Sequence, residues 1–324
     1  MPITPDQQQR VSRFIWLIAL GMTLAVAISY TVANISLDVT TGWQPLALIP
    51  VCIVIAFVYR RLRPDRWIAT GAETAAQLMI IMLLATLLTY SAATAAYPYR
   101  DVELYAADRW LGFDWRAYLA YVNDHPRLGV VLSLAYFSMK LQFALVIGAL
   151  VAASQFGRVQ TYALAIIVAL VIAIPVFMVA PAVAYYAHLG IQPADFANLS
   201  PSVPYAHIPQ LEAMRNGTAH FVRLDNLEGL ITFPSFHTTA AVIFCWALWP
   251  IRRLRWFVVA LNLLLVASTP IDGAHYVIDL LAGAIVAGVA IAVARRLHRF
   301  VRDTTWLGIN ATSAPLQVST APDR

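Results

Sequence analysis

Eight long apolar runs constrain the fold of this chain more than any other feature of the sequence. They are continuous and do not alternate between apolar and polar residues, which predicts helices rather than barrel strands. Crossing a bilayer core takes about 20 mostly apolar residues, and the second, sixth and seventh runs are the shortest. The runs lie near residues 14–33, 45–59, 72–91, 128–152, 161–187, 235–250, 256–271 and 276–294. The sequence therefore predicts an all-α polytopic membrane protein with about eight transmembrane helices.

Composition excludes a soluble globular protein. The 324 residues are 60% hydrophobic and 12% charged, and their mean hydropathy is +0.68. The net charge of +5 comes largely from arginines between the apolar runs, which in a membrane protein set orientation, so no nucleic-acid partner is expected. Cys52 and Cys245 lie inside apolar runs and predict neither a disulfide framework nor a metal pair. The N-terminus leads into a retained first span rather than a removed signal peptide.

The arginines also predict the topology. With eight spans, every cluster at a span end falls on one side of the membrane, which should be the cytoplasm. These clusters are Arg10 and Arg13, Arg60 to Arg66, Arg158, Arg252 to Arg255, and Arg295 to Arg302. Both termini are then cytoplasmic, and the long connections at 92–127 and 188–234 are external.

This topology predicts three parts of the chain. Residues 1–71 form an N-terminal two-helix membrane addition, and residues 72–297 form a six-helix catalytic core with the two external loops. Residues 298–324 form a polar, disordered cytoplasmic tail, because the segment after Trp306 is rich in Ser, Thr, Ala and Pro.

Two histidine motifs stand at the starts of apolar runs on the predicted external face. Ser235 and His237 open the sixth run, where a helix N-terminus favours an anion. His275 and Asp279 are four residues apart, so a helix places them on one face, and the carboxylate can orient the imidazole. Taken singly, each motif also fits an interfacial histidine, a helix-packing pair or a simple cap. Together they predict a phosphate site in which His275 attacks phosphorus and His237 protonates the leaving oxygen, with no metal or cofactor required.

These motifs resemble those of the type 2 phosphatidic acid phosphatase superfamily. Pro234-Ser235-Phe236-His237 is similar to its Pro-Ser-Gly-His motif, and Ser268, His275 and Asp279 match its Ser-Arg-x5-His-x3-Asp motif. The pattern is most similar to the subgroup that includes inositol phosphorylceramide synthase, and Asp108 to Trp115 resembles a segment of bacterial members. The resemblance implies a six-helix core and a phosphohistidine mechanism on lipid phosphates, with Asp279 orienting His275.

The chain departs from the family pattern at the cationic positions. The Lys-x6-Arg-Pro motif is absent, Thr269 replaces the arginine of the third motif, and Phe236 replaces the glycine of the second. The phosphate must therefore find its cation elsewhere. Lys140, the only lysine, is the first candidate because a charge inside a span is costly. Arg109 and Arg223 in the external loops follow, with Ser235 as a further phosphate ligand.

We expect an enzyme that cleaves or transfers the phosphoryl group of a membrane lipid, located in a bacterial inner membrane with its site facing the periplasm. Water as acceptor gives a phosphatase, and a hydroxyl of an inositol lipid, ceramide or diacylglycerol gives a phosphotransferase. The same three residues serve both. The alternative from another class is a non-catalytic lipid-binding or transport protein on the same scaffold. The sequence does not indicate the oligomeric state.

Overall fold

The chain folds into a bundle of long helices with a layer of short helices at one end. The structure is a computed structural model that describes residues 3–40, 42–192, 195–199 and 202–304. Its helices, in chain order, are α1 (Pro5–Val32), α2 (Leu48–Arg61), α3 (Arg66–Ala93), α4 (Asp101–Trp110), α5 (Trp115–Asn123), α6 (Pro126–Ala152), α7 (Phe156–Val179), α8 (Tyr185–His188), α9 (Ser202–Arg215), α10 (Phe236–Leu248), α11 (Arg255–Asp272) and α12 (Val277–Asp303). Two short strands, β1 (Ser36–Asp38) and β2 (Phe221–Arg223), pair in parallel.

The predicted all-α membrane architecture is confirmed. In the described part of the chain, six helices are long and apolar enough to cross a membrane, namely α1, α3, α6, α7, α11 and α12. The predicted second and sixth spans coincide with α2 and α10, which have 14 and 13 residues. Among the described residues, six helices rather than the predicted eight are therefore long and apolar enough to cross a membrane.

Several helix ends differ from the predicted ones for local reasons. The first helix begins at Pro5, because Thr4 and Gln7 form a capping box at its start. The fifth predicted span ends at Val179 rather than near residue 187. Beyond it, the backbone N–H groups of residues 182–184 bond to side chains instead of continuing the helix. The last helix continues to Asp303, into the segment predicted as a tail, and residues 305–324 lie outside the described residues.

The helix α7 lies at the centre of the bundle. Most of its side chains are buried, from Val159 through Phe177, and they form the largest apolar cluster together with α1, α3, α6, α10 and α12. The short helix α10 packs against α6, α7, α11 and α12. Because α10 packs against four helices, its position in the bundle is fixed from several sides.

The arginines meet at one end of the bundle. Arg10 donates to the carbonyl of Thr304 at 3.1 Å, and Arg66 donates to that of Ile3 at 2.7 Å. Arg158 donates to the carbonyls of Trp246 and Ala247 at the end of α10. These bonds join the starts of α1, α3 and α7 to the ends of α10 and α12, so the N-terminal ends of α10 and α12 lie at the opposite end of the bundle.

Candidate active site

The first turn of α10 is a capped helix start with free backbone donors. Ser235 is the N-cap, fully buried, and its side-chain oxygen accepts a hydrogen bond from the Thr238 N–H at 3.3 Å. Within the described residues, the backbone N–H groups of Phe236 and His237 have no acceptor. Such unpaired N–H groups at a helix start form an anion-binding site.

His275 and Asp279 form a buried pair at the start of α12. The Nδ1 atom of His275 lies 3.3 Å from Oδ2 of Asp279, and the same carboxylate oxygen accepts the Tyr276 N–H at 2.9 Å. Burial lowers the pKa of His275 to about 4, which outweighs the opposite effect of the Thr232 carbonyl. The imidazole is therefore neutral at neutral pH, and its Nε2 is the nitrogen not directed at Asp279.

The structure brings the two histidine motifs together. The ring centroids of His237 and His275 are 5.9 Å apart, with an interplanar angle of 64°. Two hydrogen bonds tie the helices that carry them: the Ser235 N–H donates to the Asp279 carbonyl at 3.1 Å, and the Thr239 hydroxyl donates to the Gly283 carbonyl at 2.9 Å. A side chain at Gly283 would meet the Ser235 carbonyl oxygen at 2.4 Å, so this close approach of the two helices requires glycine.

Two buried aspartates of α4 hold the turn that carries His275. Asp108 accepts hydrogen bonds from the backbone N–H groups of Val277 and Ile278, both at 2.8 Å, and from the indole of Trp115 at 3.0 Å. Burial raises the pKa of the Asp108 carboxyl, and these three donors act against that rise. The N-terminus of α12 is therefore already occupied by a carboxylate of the chain itself, unlike that of α10.

The second aspartate links this turn to the segment after α7. Asp101 accepts the Tyr276 hydroxyl at 2.9 Å, the Val183 N–H at 2.8 Å and the Ala184 N–H at 3.1 Å. The Tyr276 ring is fully buried among aromatic side chains. The segment beginning at Asp108 is recognisable in the sequence as a family resemblance, but no sequence pattern indicates what the two carboxylates contact.

The predicted phosphate ligands are placed differently from one another. Ser235 lies at the site. Lys140 on α6 is exposed, and its charge acts electrostatically on His237. Arg109 instead pairs with Asp114 at 3.7 Å, and Arg223 pairs with Asp225 at 2.6 Å. Among the described contacts, none joins either arginine to the two histidines, and their phosphate-binding role stays a prediction.

The two hydroxyls of the third motif are directed into their own helix. Ser268 and Thr269 are fully buried, and both donate to the Leu265 carbonyl, at 2.7 and 2.8 Å. Thr269, which replaces the motif arginine, therefore offers no free donor toward the histidines. In the part of the chain that the structure describes, no group of three His, Cys, Asp or Glu side chains could hold a metal ion.

One aromatic residue at the site was missed by the sequence reasoning. The ring of Tyr136 on α6 stacks on His237, with centroids 4.5 Å apart and an interplanar angle of 22°. One turn earlier, the Ser133 hydroxyl contacts both oxygens of Asp272, at 3.0 and 3.1 Å. Nothing in the sequence singles out Tyr136 from the other tyrosines, since its partner lies about a hundred residues away.

Comparison with known proteins yields one family. The model of the PAP2 superfamily matches residues 102–293, which is more than half of the chain and includes both histidine motifs. No curated protein and no solved structure matches the chain. Members of the superfamily are generally phosphatases and phosphotransferases.

Proposed function

Because the chain belongs to the PAP2 superfamily, we propose that it transfers the phosphoryl group of a lipid phosphate ester through a phosphohistidine on His275. The observation that carries the proposal is the meeting of two buried histidines 5.9 Å apart, one of them held by a carboxylate. A non-catalytic lipid carrier would have no need for an oriented imidazole facing a second imidazole.

The phosphate is proposed to bind at the start of α10. Its N-terminus keeps two free N–H groups, whereas that of α12 is filled by Asp108 and Asp279. Lys140 is exposed and acts electrostatically on His237, and its ammonium is proposed to supply positive charge to the phosphate. A phosphate at this position would be flanked by both imidazoles.

The reaction has two steps. The Nε2 atom of His275 attacks phosphorus, the bond from phosphorus to the lipid oxygen breaks, and His237 gives a proton to that oxygen. An anionic phosphate favours the protonated form of His237 needed here. In the second step His237 takes a proton from the acceptor hydroxyl, the acceptor oxygen attacks phosphorus, and the bond to His275 breaks. Asp279 holds the Nδ1 proton of His275 throughout, as the acid does in a catalytic triad.

The acceptor distinguishes a phosphatase from a phosphotransferase of the inositol phosphorylceramide synthase type. With a phosphomonoester as substrate, water would release inorganic phosphate, and a hydroxyl of an inositol lipid, ceramide or diacylglycerol would give a new phosphomonoester. With a phosphodiester as substrate, the phosphorus keeps its second ester group throughout, and the same hydroxyls would give a new phosphodiester. The same three side chains serve both reactions. We propose that the site faces the periplasm of a bacterial inner membrane. The proposal on sidedness is supported by the arginine-rich end of the bundle, which is expected to be cytoplasmic and lies opposite the histidines.

Turnover of defined substrates by the purified chain tests the proposal. A panel of labelled lipid phosphates, with and without the hydroxyl acceptors, should give product with wild type and none with His275→Ala, His237→Ala or Asp279→Ala at equal expression. The matched control is His125→Ala, which removes an exposed loop histidine that contacts Tyr121 rather than the site. Full turnover by His275→Ala would exclude the mechanism.

Sidedness has a separate test. With Cys52 and Cys245 replaced by serine, a cysteine at Glu103 should react with an impermeant maleimide added to intact cells, and one at Arg299 should not. The reverse labelling pattern would place the site in the cytoplasm.

A further inference from the structure

We propose that Tyr136 is a phosphate-binding residue, whose hydroxyl donates a hydrogen bond to a phosphoryl oxygen while its ring holds His237 in place. The inference rests on the proposed function, because it assigns one ligand of the phosphate in that same site. It accounts for how a site without the motif arginine recognises its substrate.

The ring of Tyr136 is fixed and buried. Only 4% of the residue is exposed, and it stacks face to face on His237 at 4.5 Å. The next turn of α6 toward its N-terminus is tied to the end of α11 by the bond from Ser133 to Asp272. The stacking therefore holds the imidazole of His237 against α6, and the bond from Ser133 holds α6 against the end of α11.

The hydroxyl of Tyr136 points to the space beside His275. A Cβ atom built on Gly273 would lie 3.2 Å from the Tyr136 hydroxyl oxygen and 2.9 Å from Cδ2 of His275. Both groups therefore border the same small volume above Gly273. Tyr136 thus touches one histidine with its ring and approaches the other with its hydroxyl.

This hydroxyl is uncommitted. Within the described residues it forms no hydrogen bond, and its oxygen is not fully enclosed, so a ligand can reach it. Two buried tyrosines near the site have partners: the Tyr276 hydroxyl donates to Asp101, and that of Tyr186 donates to the Ile271 carbonyl. A phosphoryl oxygen would accept a hydrogen bond from this free donor at the meeting point of the two histidines.

The position also compensates for the departure from the family motif. Thr269 stands where the family has arginine, and its hydroxyl is bonded to the Leu265 carbonyl. Lys140 follows Tyr136 by four residues, so the two residues lie along one face of α6, with Tyr136 buried and Lys140 exposed. We infer that α6 carries the phosphate recognition that the third motif carries elsewhere in the superfamily.

The test compares Tyr136→Phe with wild type in the full-length purified chain. Phenylalanine keeps the ring on His237 and removes only the oxygen, so the melting temperature should not change. A hydrogen bond to a charged group is worth about 10-fold to 100-fold in binding, so orthovanadate should bind at least about 10-fold more weakly, and kcat/KM for the lipid phosphate should fall by a similar factor.

The matched control is Tyr121→Phe. Tyr121 also packs on a histidine, His125, with centroids 4.4 Å apart, but it lies on an exposed part of α5. Its hydroxyl can be removed without touching the site, so vanadate affinity and kcat/KM should remain those of wild type.

The outcomes separate this inference from the proposed function. If Tyr136→Phe binds vanadate and turns over as wild type does while His275→Ala is inactive, the role of Tyr136 is excluded and the proposed function stands. If wild type neither binds vanadate nor turns over any lipid phosphate, both are excluded. Equal losses in Tyr136→Phe and Tyr121→Phe would also exclude a specific contact by Tyr136.

Discussion

Asp108 should be among the most sensitive positions outside the two histidine motifs. Its carboxylate is fully buried and accepts three hydrogen bonds, from the Val277 and Ile278 N–H groups and the Trp115 indole. Replacing it with alanine leaves all three donors buried without an acceptor. The turn that carries His275 would then lose its main attachment to α4.

The expected cost follows from those three donors. An unsatisfied buried donor costs about 1–3 kcal/mol, so Asp108→Ala should destabilise the fold by about 3–6 kcal/mol even if water satisfies part of the loss. At about 2 °C per kcal/mol for a chain of this size, the melting temperature should fall by about 6–12 °C. Turnover should fall as well, because His275 is adjacent to the released turn.

The assay is thermal unfolding of both proteins in the same detergent at one scan rate, since membrane proteins often unfold irreversibly. Asp114→Ala is the matched control: it removes an exposed aspartate of the same loop that caps α5 through the Ala117 N–H, worth about 1 kcal/mol. Equal decreases in melting temperature for the two variants would refute the reasoning, because the burial of Asp108 and its three donors would then make no difference to stability.

Two further perturbations test the packing and the electrostatics of the site. Gly283→Ala places a carbon 2.4 Å from the Ser235 carbonyl oxygen, so it should destabilise the fold by about 1–3 kcal/mol and reduce turnover. Gly288→Ala is the control, because open space surrounds Gly288, and it should be neutral or stabilising in the same thermal assay. Equal changes in melting temperature for the two variants would refute the close contact at Gly283. For His275, the folded pKa of about 4 lies below the ordinary 6.5, so the unfolded chain takes up the proton first. The contribution of His275 to the free energy of unfolding is therefore fully present above pH 6.5 and falls by about 3 kcal/mol as the pH drops toward 4. Thermal unfolding of His275→Asn across that range should lack this pH dependence. An unchanged slope in the variant would contradict this.

Most of the architecture could be predicted from the sequence, because a helix that crosses a bilayer needs a long apolar run, and such runs are evident from hydropathy. The limits of the two short helices were harder to predict. The helix α10 has only 13 residues, because Ser235 caps its start and the non-helical residues 249–254 separate its end from α11. The end of α7 also escaped prediction. Its apolar run continues past Val179, but the backbone N–H groups of residues 182–184 donate to the side chains of Thr232 and Asp101.

At the site, the sequence predicted the arrangement of residues that are close together along the chain. His275 and Asp279 are four residues apart, and Ser235 and His237 share one helix start, so local periodicity places each pair. Their meeting was inferred only from topology and resemblance. Tyr136 could not be found, since its contact with His237 depends on how α6 and α10 pack, and tyrosine on an apolar helix carries no distinctive pattern.

The contacts of the α4 carboxylates could not be predicted from the sequence either. Charged residues in a loop ordinarily face water, and nothing in the sequence marks Asp101 and Asp108 as buried acceptors. Only the fold reveals that α4 lies against the start of α12 and that the donors there need partners.

The most direct test of the central claim is to trap the covalent intermediate. Purified protein mixed with a lipid phosphate radiolabelled on phosphorus and quenched in alkali during the first turnover should carry an acid-labile, alkali-stable label. Peptide mapping should place that label on His275, and His275→Ala should carry none. Product formation in the first turnover with no label on the protein, or with the label on His237 instead, would contradict the phosphohistidine mechanism.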